Sequence, residues 1–163
     1  MSVVTATAAI LEQWLARAVA VYGDKVAPLA VAERDPFRNP VGHTLRTHLS
    51  LLLHELLGDM DPAAIDASME PIIAVRAIQD LSVEQAVGFV YQVRDILRRE
   101  LPERDVAGID ARVDRLALAA FAQFLQRRER LAELKLNEHL RALGPVPYRL
   151  RSRPPGACAS AGD

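Results

Sequence analysis

Asn39-Pro40-Val41-Gly42-His43-Thr44-Leu45-Arg46-Thr47-His48-Leu49-Ser50-Leu51-Leu52-Leu53-His54-Glu55-Leu56-Leu57-Gly58 is the stretch that decides the fold class. The Asn39 side chain can accept from the free amides of a helix start, and Pro40 sits where a missing N–H costs nothing. Val41, Leu45, Leu49, Leu52 and Leu56 then recur at three- and four-residue spacing and make one stripe, with Gly58 as the stop. The pattern predicts an amphipathic helix over Pro40–Leu57.

Outward from this segment the same signals recur. Towards the N-terminus, Thr5 to Tyr22 carries Ile10, Leu11, Trp14, Leu15, Ala18, Val21 and Tyr22 at helical spacing, and Gly23 ends it. Asp24 to Asn39 contains Pro28 and Pro36 and predicts a connection or a short irregular helix. Towards the C-terminus, Asp61-Pro62 repeats the Asn-Pro start. Pro71 is expected to divide the segment from Pro62 to Gln79 into a short helix and a second one beginning at Pro71. Ser82 and Gln85 have capping-box spacing and should open a helix from Val83 to about Glu100, bounded by Pro102.

The last helix is expected from Ile109 to Leu143, with Val113, Leu116, Ala117, Ala120, Phe121, Phe124, Leu131 and Leu134 as its apolar stripe. At 1.5 Å per residue it is about 50 Å long. That exceeds the body of a compact domain of this size, so its distal part should project, pair with a second subunit, or bend. The tail from Gly144 to Asp163, with Arg149, Arg151 and Arg153 among prolines and small residues, is expected to be disordered. The predicted architecture is therefore all-α: a single-domain bundle of about five main helices in residues 1–143, then the Pro/Arg tail at 144–163.

Composition agrees with helices. Half of the residues are hydrophobic but only 5% are aromatic, and β-branched residues rarely form the alternating runs of a half-buried strand. The formal net charge is −1, which provides no global field for nucleic acid or an anionic membrane surface. Cys158 is the only cysteine, so an intramolecular disulfide framework and a cysteine-based zinc site are excluded. Residues 1–9 lack the basic start of a signal peptide, and no segment approaches roughly 18 uninterrupted apolar residues. The expected location is the cytoplasm, without membrane insertion.

Histidine is where haem or metal would be sought. His43 and His54 fall about 150° from the centre of the leucine stripe and should face solvent. His48 lies near the stripe's edge, where a partly buried, hydrogen-bonded ring is the simpler reading than an axial haem ligand. His139 should be exposed. No His-Glu-x-x-His pattern, nucleophile elbow or phosphate-binding loop is present. No catalytic or metal-binding residue is assigned, no enzyme is expected, and no cofactor is expected, with haem at His48 as the alternative.

Arg76 is the only charge between Pro71 and Ile78. Helical geometry leaves it among apolar neighbours, so its guanidinium needs a carboxylate or several carbonyl acceptors. Asp80 and Asp114 are the candidate carboxylates, with Arg112 and Arg115 as further members of the network. The reading is architectural: an ion pair locking helices together.

Three ordered stretches carry a family resemblance: Arg38-Asn39-Pro40-Val41-Gly42-His43-Thr44-Leu45; Val75-Arg76-Ala77-Ile78-Gln79-Asp80-Leu81-Ser82 with Gln85-Ala86-Val87-Gly88-Phe89-Val90; and Val113-Asp114-Arg115-Leu116-Ala117-Leu118. Together, over about residues 8 to 141, the chain resembles the RsbT co-antagonist RsbRD N-terminal domain family. Asn39, Pro40, Gly42, Arg76, Gln79, Asp80, Asp114 and Arg115 are the motif positions. His43 departs from the aromatic residue expected after the glycine. The resemblance implies an all-helical sensory or regulatory module of stress-signalling assemblies. It also implies action through a protein partner; the excess length of the last helix adds the expectation of a homodimer. An output domain has no room after residue 143, so action by binding is the expectation. Short DsrT-like chains similar to this one accompany the membrane electron-transfer complex of dissimilatory sulfur metabolism, which gives an alternative context. Sensing of a small molecule or haem is a further alternative.

Overall fold

The computed structural model describes residues 3–25, 27–79, 81–102 and 107–143, and among these it contains helices and no strand. Helix α1 spans Val3–Val19 and runs into a 3₁₀ turn at Ala20–Tyr22. The expected connection holds a short helix, α2 (Ala27–Ala32). Helix α3 spans Pro40–Leu57, as predicted, with the Asn39 side chain accepting from the Gly42 amide at 2.9 Å. Then come α4 (Pro62–Ala77), α5 (Val83–Val87), α6 (Phe89–Glu100) and α7 (Ile109–Ala142). The tail at 144–163 lies outside the described residues.

Two boundaries differ from the expectation. Helix α4 passes through Pro71 without dividing. Proline inside a helix costs about 3 kcal/mol, but Met69, Ile72 and Ile73, on both sides of Pro71, are fully buried, and burial of each such side chain contributes about 1.5–3 kcal/mol. Packing against α3 on one side and α7 on the other outweighs the lost hydrogen bond. The helix predicted over Val83 to Glu100, by contrast, is interrupted at Gly88. There the backbone tightens, with the Tyr91 N–H donating to the Gly88 carbonyl three residues back. A Cβ on residue 88 would lie 2.5 Å from the Glu84 carbonyl oxygen, so the close passage requires glycine. The Ser82–Gln85 capping box that opens this segment is present as expected.

One apolar core joins the helices. Helix α1 packs on α3 and α6, α3 on α4, and α7 on α4 and α6. Leu45, Leu49, Leu52 and Leu56 of the predicted α3 stripe are fully buried, joined by Leu53, while Val41 is half-buried. Trp14 is buried at the α1–α6 contact. Its indole N–H donates to the Phe89 carbonyl at 2.7 Å, and its ring stacks on Phe89 with centroids 6.3 Å apart. A buried indole N–H without an acceptor would be costly, so this bond fixes the α1–α6 register.

Helix α7 behaves as two parts. Val113, Leu116, Ala117, Ala120 and Phe124 are buried in the bundle. From Leu125 to Leu143 every residue is exposed except the half-buried Arg127 and Leu131. The stripe read from the sequence therefore ends as a core stripe at Phe124, and Phe121 and Leu134 are exposed rather than buried. The body beneath α7 is shorter than the helix, so the distal turns extend beyond it.

Candidate functional site

Arg76 is buried as predicted, but its acceptors are carbonyls rather than carboxylates. One terminal nitrogen donates to the Ala18 carbonyl at 2.6 Å; the other donates to Gln85 at 2.9 Å and Ala86 at 3.4 Å. Ala18 is in the last turn of α1, and Gln85 and Ala86 are near the end of α5, where carbonyls lack intrahelical partners. The guanidinium thus caps the C-terminal ends of two helices and complements their dipoles. Phe89 lies 4.6 Å and Tyr22 5.7 Å from its central carbon, close enough for cation–π attraction. Burial pulls the Arg76 pKa below its ordinary value, partly countered by Tyr22, and burial raises that of Tyr22.

Asp114 does not join Arg76. It is exposed and pairs with Arg94 at 2.7 Å, while Asp110 pairs with Arg94 and Arg98, so these charges tie α6 to the start of α7. Asp80 falls outside the described residues. Arg115 is exposed, and Arg112 instead donates to the carbonyls of Leu56 and Gly58 at 3.0 and 2.6 Å, capping the end of α3. Gln79 is half-buried, and its side-chain oxygen is buried without a partner among the described residues.

Asn39 does more than start α3. Its amide nitrogen donates to the carbonyls of Leu29, Ala30 and Glu33 at 3.3, 3.0 and 2.9 Å, finishing α2 with the other end of the same side chain. Arg46 assists through the Val31 carbonyl at 2.8 Å and an ion pair with Glu12. Gly42 leaves the space that this requires: a Cβ there would overlap the Asn39 amide and the Ala30 carbonyl. The Asn-Pro signal revealed the first cap; the second depends on α2 folding back, which the sequence pattern does not specify.

The histidines do not converge. His43 and His139 are exposed, and His54 is exposed beside Glu55, at 3.5 Å. His48 is half-buried, with Nδ1 buried and unpartnered among the described residues. Its expected hydrogen bond is therefore not seen at that nitrogen. Burial lowers the His48 pKa, and His43 adds to the shift. Among the described residues no group of three or more His, Cys, Asp or Glu side chains could hold a metal ion.

Among the described residues three clefts stand out on the surface, and none of them has a histidine in its lining. One of about 530 Å³ lies between α4 and α7, where Gln123 bonds Asp66 and Arg127 pairs with Glu70. Another, of about 560 Å³, reaches Arg76 from between Arg17, Glu84, Tyr91 and Gln92. The third, about 300 Å³, lies between Ile78 at the end of α4 and Arg128, Leu131 and Lys135 of α7.

Among the described residues, the outer face of α7 carries a row of exposed apolar side chains. At about 100° per residue, Leu118, Phe121, Leu125, Ala132, Leu136, Leu140 and Leu143 lie within roughly 60° of one line, on the half of the helix opposite its buried stripe. The leucines and Phe121 in this set are 45–70% exposed. Their spacing of three and four residues, with a gap of seven at Glu129, interleaves with the core stripe, and only burial separates the two. Exposed Glu129 and His139 lie within the same arc and interrupt the strip.

The fold and these groups define a class: an all-helical domain in which buried Arg76 and half-buried Asn39, Arg46 and Arg112 cap helix ends, with a row of exposed apolar side chains along its last helix. The chain belongs to the RsbT co-antagonist protein rsbRD N-terminal domain family, whose model matches residues 8–139. No curated protein and no solved structure matches it. Among the described residues no helix is long and apolar enough to cross a membrane.

Proposed function

We propose that this chain is a non-enzymatic regulatory module of stress-signalling type that acts by binding protein, and that it self-associates as a homodimer through the outer face of α7. The observation that carries this reading is the second apolar stripe, exposed along a helix that outruns its own domain. Family membership supports a regulatory role, and the motif residues Asn39, Gly42 and Arg76 are engaged in joining helices rather than arranged around a reacting centre. Covering the stripe on two copies contributes on the order of 1 kcal/mol per side chain against an association cost of about 4–15 kcal/mol. The two terms are of similar size, which makes about 100 μM the concentration at which to look for self-association. Light scattering after size exclusion should show dimer at about 100 μM, and Leu125→Asp with Leu136→Asp should give a folded monomer. A wild-type chain that stays monomeric at that concentration would remove the homodimer from this reading. Native pull-down with mass spectrometry distinguishes the partners: signalling components support the reading, and subunits of a sulfur-metabolism electron-transfer complex would replace it.

One observation favours a second reading, the sensing of a small polar molecule. The Arg76 Nε and the Gln92 side-chain oxygen are both buried without partners among the described residues, and both residues line the same cleft. Solvent reaches neither atom in this structure, so a ligand would accept from one and donate to the other only on widening the cleft. A thermal-shift screen of small carboxylates and amides tests this. A stabilisation that survives Gln92→Ala would place binding elsewhere.

A further inference from the structure

The connection between α2 and α3 forms a knuckle that carries Phe37. Among the described residues no large apolar side chain is more exposed: Phe37 is 95% exposed, and Leu29, on the same knuckle, 66%. The backbone that carries Phe37 is nevertheless held on both sides. The Phe37 N–H donates to the Asp35 carboxylate at 2.9 Å, and the Asp35 N–H donates to the Glu33 carboxylate at 3.1 Å. The Arg38 and Asn39 N–H groups donate to the Asp35 carbonyl at 3.2 and 2.9 Å. Pro36 adds a fixed φ, and the Asn39 side chain ties the Leu29, Ala30 and Glu33 carbonyls to the start of α3. These bonds fix the backbone and leave the phenyl ring in solvent.

The charges around the ring are layered. The Arg34 and Arg38 side chains are 74% and 76% exposed, whereas Glu12 and Glu33, the carboxylates they pair with, are 43% and 30% exposed. Glu12 is also shared with Arg46, and the Asp35 carboxylate is engaged by the Phe37 amide. The outermost charge beside Phe37 is therefore positive.

We propose that Phe37 is the anchor of a protein-docking surface and inserts into an apolar pocket of a partner protein whose rim carries carboxylates, opposite Arg34 and Arg38. This rests on the protein-binding reading above and adds the surface and the chemistry of its receiver. An aromatic ring on a pre-ordered loop loses little freedom on binding, and one such buried anchor can dominate an interface. The arginine rim steers an acidic partner and sets orientation. A second copy fits poorly, because two-fold pairing at this tip brings Arg34 and Arg38 near their own counterparts. An anionic membrane fits poorly too: one phenylalanine and one leucine bury little apolar area, and the chain has a formal net charge of −1.

Photocrosslinking in cells that naturally make the chain tests this, with Phe37→p-benzoylphenylalanine in the full chain and the same substitution at Leu51, an exposed position on α3, as control. Position 37 alone should crosslink to one protein, at a recess lined by apolar residues and ringed by Asp or Glu. With that protein purified, Phe37→Ala should weaken binding about ten- to hundredfold without moving the melting temperature. Arg38→Glu should weaken it about three- to tenfold, less at high salt. Asp35→Ala should weaken binding with the ring intact, and Asp35→Asn, which keeps the acceptor for the Phe37 amide, should restore it. Crosslinks from position 37 to lipid, to a second copy, or to the same proteins as position 51 would overturn the proposal, as would a Phe37→Ala affinity within about twofold of wild type. A partner recovered by native pull-down but crosslinked only from other faces would overturn this surface and leave the protein-binding reading standing. No bound protein in either experiment would overturn both.

Discussion

At the scale of single residues, the polar interior is organised by capping. Arg76, Asn39, Arg46 and Arg112 each donate to carbonyls at the C-terminal end of a helix other than their own. A buried guanidinium bonded to carbonyls from two helices is hard to replace. Arg76→Met should keep much of the packing volume while leaving the Ala18 and Gln85 carbonyls without their donor, at a cost of about 2–4 kcal/mol. Chemical denaturation checks this, and a loss below about 1 kcal/mol would show that the carbonyls find other donors. That Arg76 would be buried was legible from its apolar neighbours. Its acceptors were not, because Ala18 and Gln85 are brought to it only by the packing of α1 and α5. His48 gives a pH prediction. Its pKa is lowered in the folded chain by burial and then by His43, so the unfolded chain binds more protons in this range. The contribution to stability is full above the unfolded value of about 6.5 and is lost as pH falls below it towards the folded value. The melting temperature should drop as pH falls below about 6.5, and His48→Gln should flatten that drop. An identical slope in the variant would assign the effect to other groups.

At the scale of elements, starts were easier to read than interruptions. Asn39-Pro40, Asp61-Pro62 and Ser82 with Gln85 all open helices where expected, with their side-chain caps formed. These signals are local: the cap and the amides it satisfies lie within three residues. Pro71 and Gly88 went the other way because their effects depend on neighbours. Around Pro71 the residues on both sides are fixed by α3 and α7, whereas at Gly88 the backbone passes close to Glu84 while Trp14 and Arg76 hold the carbonyls nearby. The continuous α4 leads to a stabilising substitution. Pro71→Ala restores an amide to the helix and should raise stability by about 1–2 kcal/mol, part of the helix-interior proline cost. Thermal melting measures it, and a destabilised variant would show that the proline ring itself fills space that alanine leaves empty.

At the scale of the whole molecule, α7 links a packed bundle to a projecting surface. Its amides within the bundle should exchange with solvent only on global opening, because Val113, Leu116 and Phe124 lie in the common core. Amides between Arg128 and Ala142 should exchange much faster in dilute protein and become more protected as concentration rises into the dimer range. Hydrogen exchange at two concentrations tests this, and concentration-independent protection of the distal turns would show that they are held within one chain. The sequence by itself determined the helical class, the start of α3, the buried state of Arg76 and the excess length of the last helix, because caps, 3.6-residue spacing and chain length act locally. Only the tertiary structure decided that Arg76 joins helix ends instead of Asp114, that α4 survives Pro71, and that the leucines of α7 form two faces. Those outcomes depend on which elements stand next to one another and on where the body ends beneath the helix, and neither follows from local spacing.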